Sequence, residues 1–259
     1  MLTDVIDFMV NRGIIISMPR SRDDSATEEM VFEDIPVKIV RKKVKNLRIT
    51  VHSDCTVRLT IPKGCDPLDL LEQKRDWIFD KIENNRILRE RCESRSDKML
   101  LFGREFSMQL DTDLKKGCYI DTATMTIHYA SVADFIKFVK KALEDRLGQR
   151  ICMIASSMGV SGRIGNIRIK KQRSRWASCS HDNNLNFNIR MASLPLKFFD
   201  YIIAHELAHI IEKNHSPRFW AIVERHCSNY RICRKHLKEY WVLCNTNVYW
   251  KALIEQKKN

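Results

Sequence analysis

Residues 198–211 read FFDYIIAHELAHII, an apolar run that nonetheless carries two histidines and a glutamate close together. No other segment narrows the possible folds as much. As a helix the run sorts its residues onto two faces. Phe199, Ile203, Leu207, Ile210 and Ile211 form an apolar stripe, while Tyr201, His205, Ala208, His209 and Glu212 share the opposite side. The stripe must bury the helix against a folded body.

Burying two imidazoles and a carboxylate without partners costs several kcal/mol, and a divalent cation compensates all three. At 3.6 residues per turn, His205 and His209 stand one above the other, about 6 Å apart along the axis, so both rings reach one ion. They supply two ligands of a tetrahedral zinc site. Glu206 is too close along the chain to share that ion but is placed to hold a water on it. It is the candidate general base: the ion lowers the water's pKa toward about 7 and the carboxylate takes the proton.

A catalytic zinc needs a third protein ligand and an open position. His215 is the leading candidate, provided the helix stops first, because a continuous helix would carry it about 9 Å beyond His209. Lys213 and Asn214 offer the break, Asn being tolerant of left-handed backbone. Ser216 and Pro217 then restart a helix as N-cap and first residue. Cys179, in an upstream strand, is the competing ligand, because deformylase-like enzymes complete this helix motif with an upstream cysteine.

At 259 residues the chain can bury a core without disulfide or metal staples, so a metal here would serve function. Its nine cysteines form no CxxC pair, and their odd number leaves at least one unpaired. Reduced thiols in a cytoplasm are the expectation. The opening residues carry Asp4 and Asp7 and no basic start, which argues against a signal peptide. No stretch approaches the roughly 18 apolar residues of a membrane span, so no membrane partner is expected. The net charge of +13 suggests association with polyanions.

Along the chain, residues 1–18 suit a short helix and 19–30 a polar linker, with the compact body starting near Val31. Residues 47–61 alternate as a β-hairpin. Asp66 and Pro67 read as N-cap and first position of a charged helix reaching about Ser94. Strands are expected around 100–110 and 119–129, then a helix over 133–158 ending near Gly159. Three strands follow, at 166–170, 175–179 and 185–190. The rest reads as helix, at 195–212, 217–227 and from about 231 onward.

Four motifs in order, Ser174-Arg175-Trp176-Ala177-Ser178-Cys179, Leu185-Asn186-Phe187-Asn188-Ile189-Arg190, Asp200-Tyr201 leading to His205-Glu206-Leu207-Ala208-His209, and His215-Ser216-Pro217-Arg218-Phe219-Trp220, complete the picture. Together they resemble the YgjP-like metallopeptidase family, relatives of the SprT-like zinc proteases. Ile61-Pro62 and Trp77-Ile78 also look like that family, so the resemblance covers about residues 35–243. It implies zinc on His205, His209 and His215, with Glu206 catalytic and a peptide or protein as substrate. Ala177 departs from the family's usual Gly; if that position needs positive φ, Ala would be strained. The expected fold class is α+β, with a zincin-like metallopeptidase core in which the zinc helix packs on a small sheet. A β-rich N-terminal part carries a long helix. The expected divisions are 1–30, 31–130 and 131–259.

Weaker signals remain. Asn186, Asn188 and Arg190 would share one face of the last strand, as on an exposed sheet edge able to pair with an extended peptide. Arg163, Arg168, Lys170, Lys171, Arg173 and Arg175 form a run at 163–175 without an acidic residue, a possible nucleic-acid track. Cys227, Cys233, Cys244, His226 and His236 invite a second-zinc reading, but match no ordinary finger spacing. Glu212 is a candidate for orienting a ligand imidazole. The competing functions are a nucleic-acid-associated protein with a structural zinc helix and a deformylase-like hydrolase. The presence of Glu206 argues against a purely structural site.

Overall fold

The computed structural model describes residues 15–16, 27–44, 47–52, 54–93 and 97–255. It divides into two compact units at Arg91 and Cys92. Helices and small sheets alternate along the chain, an α+β architecture.

In the first unit, five strands pair in the order β1-β2-β3-β5-β4. These are β1 (Ile15–Ile16), β2 (Thr27–Phe32), β3 (Ile35–Arg41), β4 (Arg48–Val51) and β5 (Val57–Ile61). Glu33 and Asp34, both at positive φ, make the two-residue turn between β2 and β3. The expected 47–61 hairpin is the antiparallel β4–β5 pair. Val57, Leu59 and Ile61 alternate inward to meet Val37 and Ile39, under Leu71, Ile78 and Ile82 from two helices. Asp66 caps the first, α1 (Pro67–Gln73), its carboxylate accepting from Leu68 N–H at 2.9 Å. The single helix expected to about Ser94 is in fact two: Lys74 leaves helical geometry (φ −112, ψ 13) before α2 (Arg75–Glu93). The helix expected over 1–18 lies outside the described residues, except that Ile15 and Ile16 are strand. The chain is already paired in a sheet at Thr27, ahead of the start expected near Val31.

The second unit holds two sheets and five helices among the described residues. One sheet has order β6-β7-β9-β8, from β6 (Met99–Leu101), β7 (Arg104–Leu110), β8 (Cys118–Asp121) and β9 (Thr126–Tyr129). The helix α3 (Val132–Ser157) is capped by Ser131 and stopped at Gly159, φ +67, as expected. The boundary expected near 130 falls inside this unit. Met99, Leu101, Phe106 and Ile127 bury into the same core as Phe135, Val139 and Leu143 of α3, so that sheet cannot be parted from the helices behind it.

The second sheet comprises β10 (Ile167–Lys170), β11 (Ala177–Cys179) and β12 (Leu185–Asn188) in the order β10-β12-β11. It is followed by a 3-10 turn (Ile189–Ser193), α4 (Leu196–Ile211), α5 (Pro217–His226), α6 (Tyr230–Thr246) and α7 (Val248–Glu255). The apolar stripe of α4, with Phe199, Ile203 and Leu207 fully buried, fills the centre of the core as its periodicity requires. Two contacts fix where α4 begins. Phe102 and Gly103, at the β6–β7 turn, donate their N–H groups to Ala192 O (2.6 Å) and Ser193 O (3.0 Å). At the far end of the chain, Asn247 breaks the last helix in two and its side chain accepts from Tyr249 and Trp250 N–H, both at 3.1 Å. Trp250 is fully buried and donates through Nε1 to Leu100 O at 3.0 Å. No helix among the described residues is long and apolar enough to cross a membrane.

Candidate metal centre

The centre is assembled from the C-terminal half of α4 and the turn that follows. Arg163 places its guanidinium on Ile210 O, one of the carbonyls left open at the helix end. Glu212 then turns extended (φ −135, ψ 112), which stops the helix. The break thus comes earlier than Asn214, and no residue from 212 to 216 adopts positive φ. Lys213 pins the turn, its Nζ reaching Asn183 Oδ1 at 2.7 Å and His181 O at 3.1 Å. Ser216 restarts the chain as α5, accepting from Phe219 N–H at 3.3 Å, with Pro217 first in the helix.

This path carries His215 back to the helix. Ring centroids of His205, His209 and His215 lie 5.0, 5.0 and 4.8 Å apart, a nearly equilateral triangle. One nitrogen from each falls within 4.8 Å of the others. His205 Nε2 and His215 Nε2 face each other at 3.1 Å, close to the roughly 3.3 Å edge of a tetrahedron with metal–nitrogen bonds of about 2.0–2.1 Å. His209 Nδ1 meets Glu212 O at 3.3 Å. A carbonyl only accepts, so Nδ1 carries the proton and the Nε2 lone pair is left for the centre. His205 Nδ1 is buried and has no hydrogen-bond partner among the described residues. Burial, with His209, His215 and Arg234 adding to it, pushes the His205 pKa down to about 3. Burial likewise lowers that of His209. Both rings are therefore held neutral, the form that donates to a metal. The donor set fits a divalent ion of the zinc type.

Glu206 is 6% exposed. Burial raises its pKa to about 7, against the smaller lowering influences of the nearby Cys179 backbone N–H and the charge of Arg175. That N–H comes from the sheet edge beside α4. Trp176 O accepts from Asn188 N–H at 2.7 Å, and Ser180 N–H donates to Asn184 O at 2.9 Å. These bonds turn residues 176 and 180 toward β12, and leave the backbone groups of Ala177 and Cys179 on the outer edge of β11.

The model of the YgjP-like metallopeptidase domain matches residues 45–240. The chain belongs to the YgjP-like metallopeptidase family. All three converging histidines and Glu206 lie within the matched span. Among solved structures, the metallopeptidase zymogen abylysin of Pyrococcus abyssi is similar at 21% identity over 36% of this chain and 93% of that chain, with a TM-score of 0.31. No curated protein matches the chain.

In this YgjP-like domain the competing candidate, Cys179, stays outside the histidine group. It reaches the site through its N–H, while its Sγ points to Ser180 O at 3.4 Å and burial raises its thiol pKa. Glu212 meets His209 by its carbonyl; its carboxylate accepts from Asn214 N–H at 3.4 Å. Ala177 stands in β11 without positive φ, so its replacement of the family's Gly carries no backbone strain.

The strand expected as an exposed edge is the centre of its sheet: β12 lies between β10 and β11. Asn188 and Arg190 are buried rather than facing solvent. They hold the preceding loop. Asn188 Nδ2 donates to Gln172 O (2.9 Å) and Arg175 O (2.8 Å), and Arg190 Nη1 donates to Gln172 O (2.8 Å). The Arg190 guanidinium also covers the Trp241 ring. In the basic run, Arg163 is committed to the end of α4. Among the described residues the C-terminal cysteines and histidines form no group of three: Cys227 and Cys233 face each other, but the rest are engaged elsewhere. Cys244 Sγ donates to Ser193 Oγ, Cys233 Sγ reaches Lys197 O, and His226 faces Ser157. Among the described residues only the His205, His209 and His215 group is arranged to hold an ion.

Phe219 is a residue that the pattern of polar groups did not flag. It is fully buried, with its ring centroid 4.9, 4.6 and 4.7 Å from those of His205, His209 and His215. It forms an apolar wall against all three rings. Its place one turn after His215 was the available signal.

Proposed function

We propose that the chain is a zinc-dependent peptidase in which His205, His209 and His215 hold the ion and Glu206 is the general base. One arrangement carries the reading: three imidazoles converge in the helix and turn that also carry a buried carboxylate, Glu206. A zinc ion there would supply Lewis acidity, lowering the pKa of water toward about 7 and polarising a peptide carbonyl. Glu206 is suited to take the water's proton because burial raises its affinity for one into the neutral range. The carboxylate would take a proton first from water and then pass it to the departing amine, with the nearby Cys179 N–H favouring its ionised form. Phe219 excludes water from the rear of the three rings and limits their rotation.

The open edge of β11 offers the substrate a place. Ala177 presents both backbone groups outward, so an extended peptide can add there as a further strand running past α4. A cytoplasmic setting, where thiols stay reduced, suits nine cysteines with no CxxC pair.

The test combines metal analysis of the purified protein with an unbiased peptide-library digest. Zinc near one equivalent and cleavage by the wild type are expected. Glu206→Gln should retain zinc and lose at least about 100-fold in rate, the scale of general-base loss. His215→Ala should weaken zinc binding by more than the 10- to 100-fold of an outer partner, with Cys179→Ala nearly unchanged. Undiminished turnover in zinc-loaded Glu206→Gln would refute the assigned role.

A further inference from the structure

Arg234, on α6, places its guanidinium 4.8 Å from the centroid of the Trp220 ring. Trp220 in turn lies beside the histidines: its ring is stacked near that of His215 (5.6 Å, 24°) and lies 5.8 Å from that of His205. Tyr230, one turn before Arg234, stacks on Trp220 at 5.1 Å and 17°. The indole therefore couples α6 to the candidate centre. Arg231 spends its Nε on Tyr230 Oη at 3.2 Å. Arg234 is exposed and has neither a hydrogen bond nor an ion pair among the described residues. A guanidinium resting on a ring keeps its N–H donors in its own plane, in the fork that matches a carboxylate.

Cationic groups act on three residues of the centre. Arg234 acts on His205, Lys213 on His209 and Arg175 on Glu206, in each case after burial as the larger influence. Lys213 is already bound to Asn183 and to backbone carbonyls. Glu206 is buried, and Glu212 is turned to Asn214. Among the described residues the centre is thus flanked by cations, and the Arg234 fork, preorganised on Trp220, is unspent.

We infer that Arg234 is a substrate-recognition residue that binds a carboxylate of an acidic peptide beside the histidine centre. The inference rests on the peptidase reading above and adds the substrate class. The carboxylate can belong to an Asp or Glu side chain or to the peptide C-terminus.

The experiment uses the full-length, zinc-loaded protein and matched peptides carrying Asp or Asn, Glu or Gln, or Lys near the scissile bond. Each is made with a free and with an amidated C-terminus. Acidic members should be cleaved about 10-fold better than their amide counterparts, as one charge-assisted fork allows. Arg234→Gln should bring that ratio near one through KM, leaving kcat and zinc content unchanged, and Arg234→Glu should turn the preference toward Lys. Loss of the preference on amidation assigns the terminal carboxylate; its persistence assigns the side chain. Equal cleavage of acid and amide peptides by the wild type, or a preference that survives Arg234→Gln, overturns the inference.

Binding of the same fluorescent peptides is measured in parallel. If nothing is cleaved, the peptidase reading fails, while tight acidic-peptide binding that Arg234→Gln abolishes still upholds recognition by Arg234. Absence of both cleavage and binding overturns it. A single-stranded oligonucleotide is the last arm: binding lost in Arg234→Glu, with peptide discrimination unmoved, would assign Arg234 to nucleic acid and refute the proposal.

Discussion

Arg150 of α3 and Asp200 of α4 form a bidentate ion pair, Nε to Oδ1 at 2.7 Å and Nη2 to Oδ2 at 2.6 Å. Their side chains are 24% and 26% exposed, so the pair is neither at the surface nor fully dry. It ties the helix of the candidate centre to the longest helix of the unit. Exposed pairs contribute about 1 kcal/mol or less, and breaking a buried one costs about 3–5. Arg150→Ala should therefore destabilise the protein by about 2 kcal/mol in urea unfolding. Arg150→Lys should recover little of this, because an ammonium cannot reproduce the fork. A lysine variant as stable as the wild type would mean that charge alone suffices.

Gly103 has φ +80, and a Cβ there would meet Pro195, including its Cα, at 2.8–2.9 Å. Gly117 has φ +103 and open space. Both alanine substitutions carry backbone strain of about 1 kcal/mol, but only Gly103→Ala also pushes on the residue that opens α4. The expected loss is about 3 kcal/mol or more at Gly103 and about 1 at Gly117. Equal melting temperatures for the two variants would show that the turn and Pro195 move apart freely.

Metal-free protein should show the buried carboxylate in its pH dependence. Burial raises the Glu206 pKa from 4.5 to about 7. The folded chain therefore holds this proton more tightly than the unfolded chain. Its contribution is present in full below about pH 4.5 and is lost as pH rises through about 7. His205, lowered from 6.5 to about 3, acts the other way, costing stability as pH falls from about 6.5 to 3. Glu206→Gln removes only the first effect. It should stabilise chelated protein at pH 8 by up to about 3 kcal/mol, with the gain fading by pH 4. A gain of the same size at both pH values would contradict the cause given.

Asn188→Ala removes the side-chain donor to Arg175 O and one of the two donors to Gln172 O, which keeps Arg190 Nη1. The expected cost is about 2–3 kcal/mol. Hydrogen exchange should quicken in the 172–179 segment, which includes β11. Zinc affinity should hold, since no histidine of the centre lies on that sheet. Zinc loss equal to that of His215→Ala would place the clamp inside the metal site instead.

The parts of the fold legible in the sequence are those where one local rule acts alone. The apolar stripe of α4, the Asp66 and Ser216 caps, and Gly159 all depend on residues within a turn of one another. The convergence of His205 and His209 is of the same kind. Strand order is not local. The alternation of Asn186, Asn188 and Arg190 gives the same pattern for a solvated edge as for a central strand whose polar groups bind the carbonyls of the preceding loop. The interruption at Lys74 has neither Gly nor Pro to mark it. The return of His215 toward the helix follows from punctuation in the chain, yet the turn uses an extended Glu212 instead of a left-handed Asn214. The place of the 99–129 sheet was hidden because strand periodicity records that a face is buried and not which helix buries it.

The clasp between α7 and β6 sets where the chain can be cut. The family match stops at residue 240, ahead of Asn247, Trp250 and Leu253. All three are buried, and Asn247 Nδ2 and Trp250 Nε1 reach back to Lys98 O and Leu100 O. A fragment trimmed to the matched span would uncover the apolar side of β6 and leave those two carbonyls unpaired. A piece that keeps the core of the second unit intact must run from before Lys98 through Leu253. Its two ends are structurally inseparable even though only one of them belongs to the recognised domain.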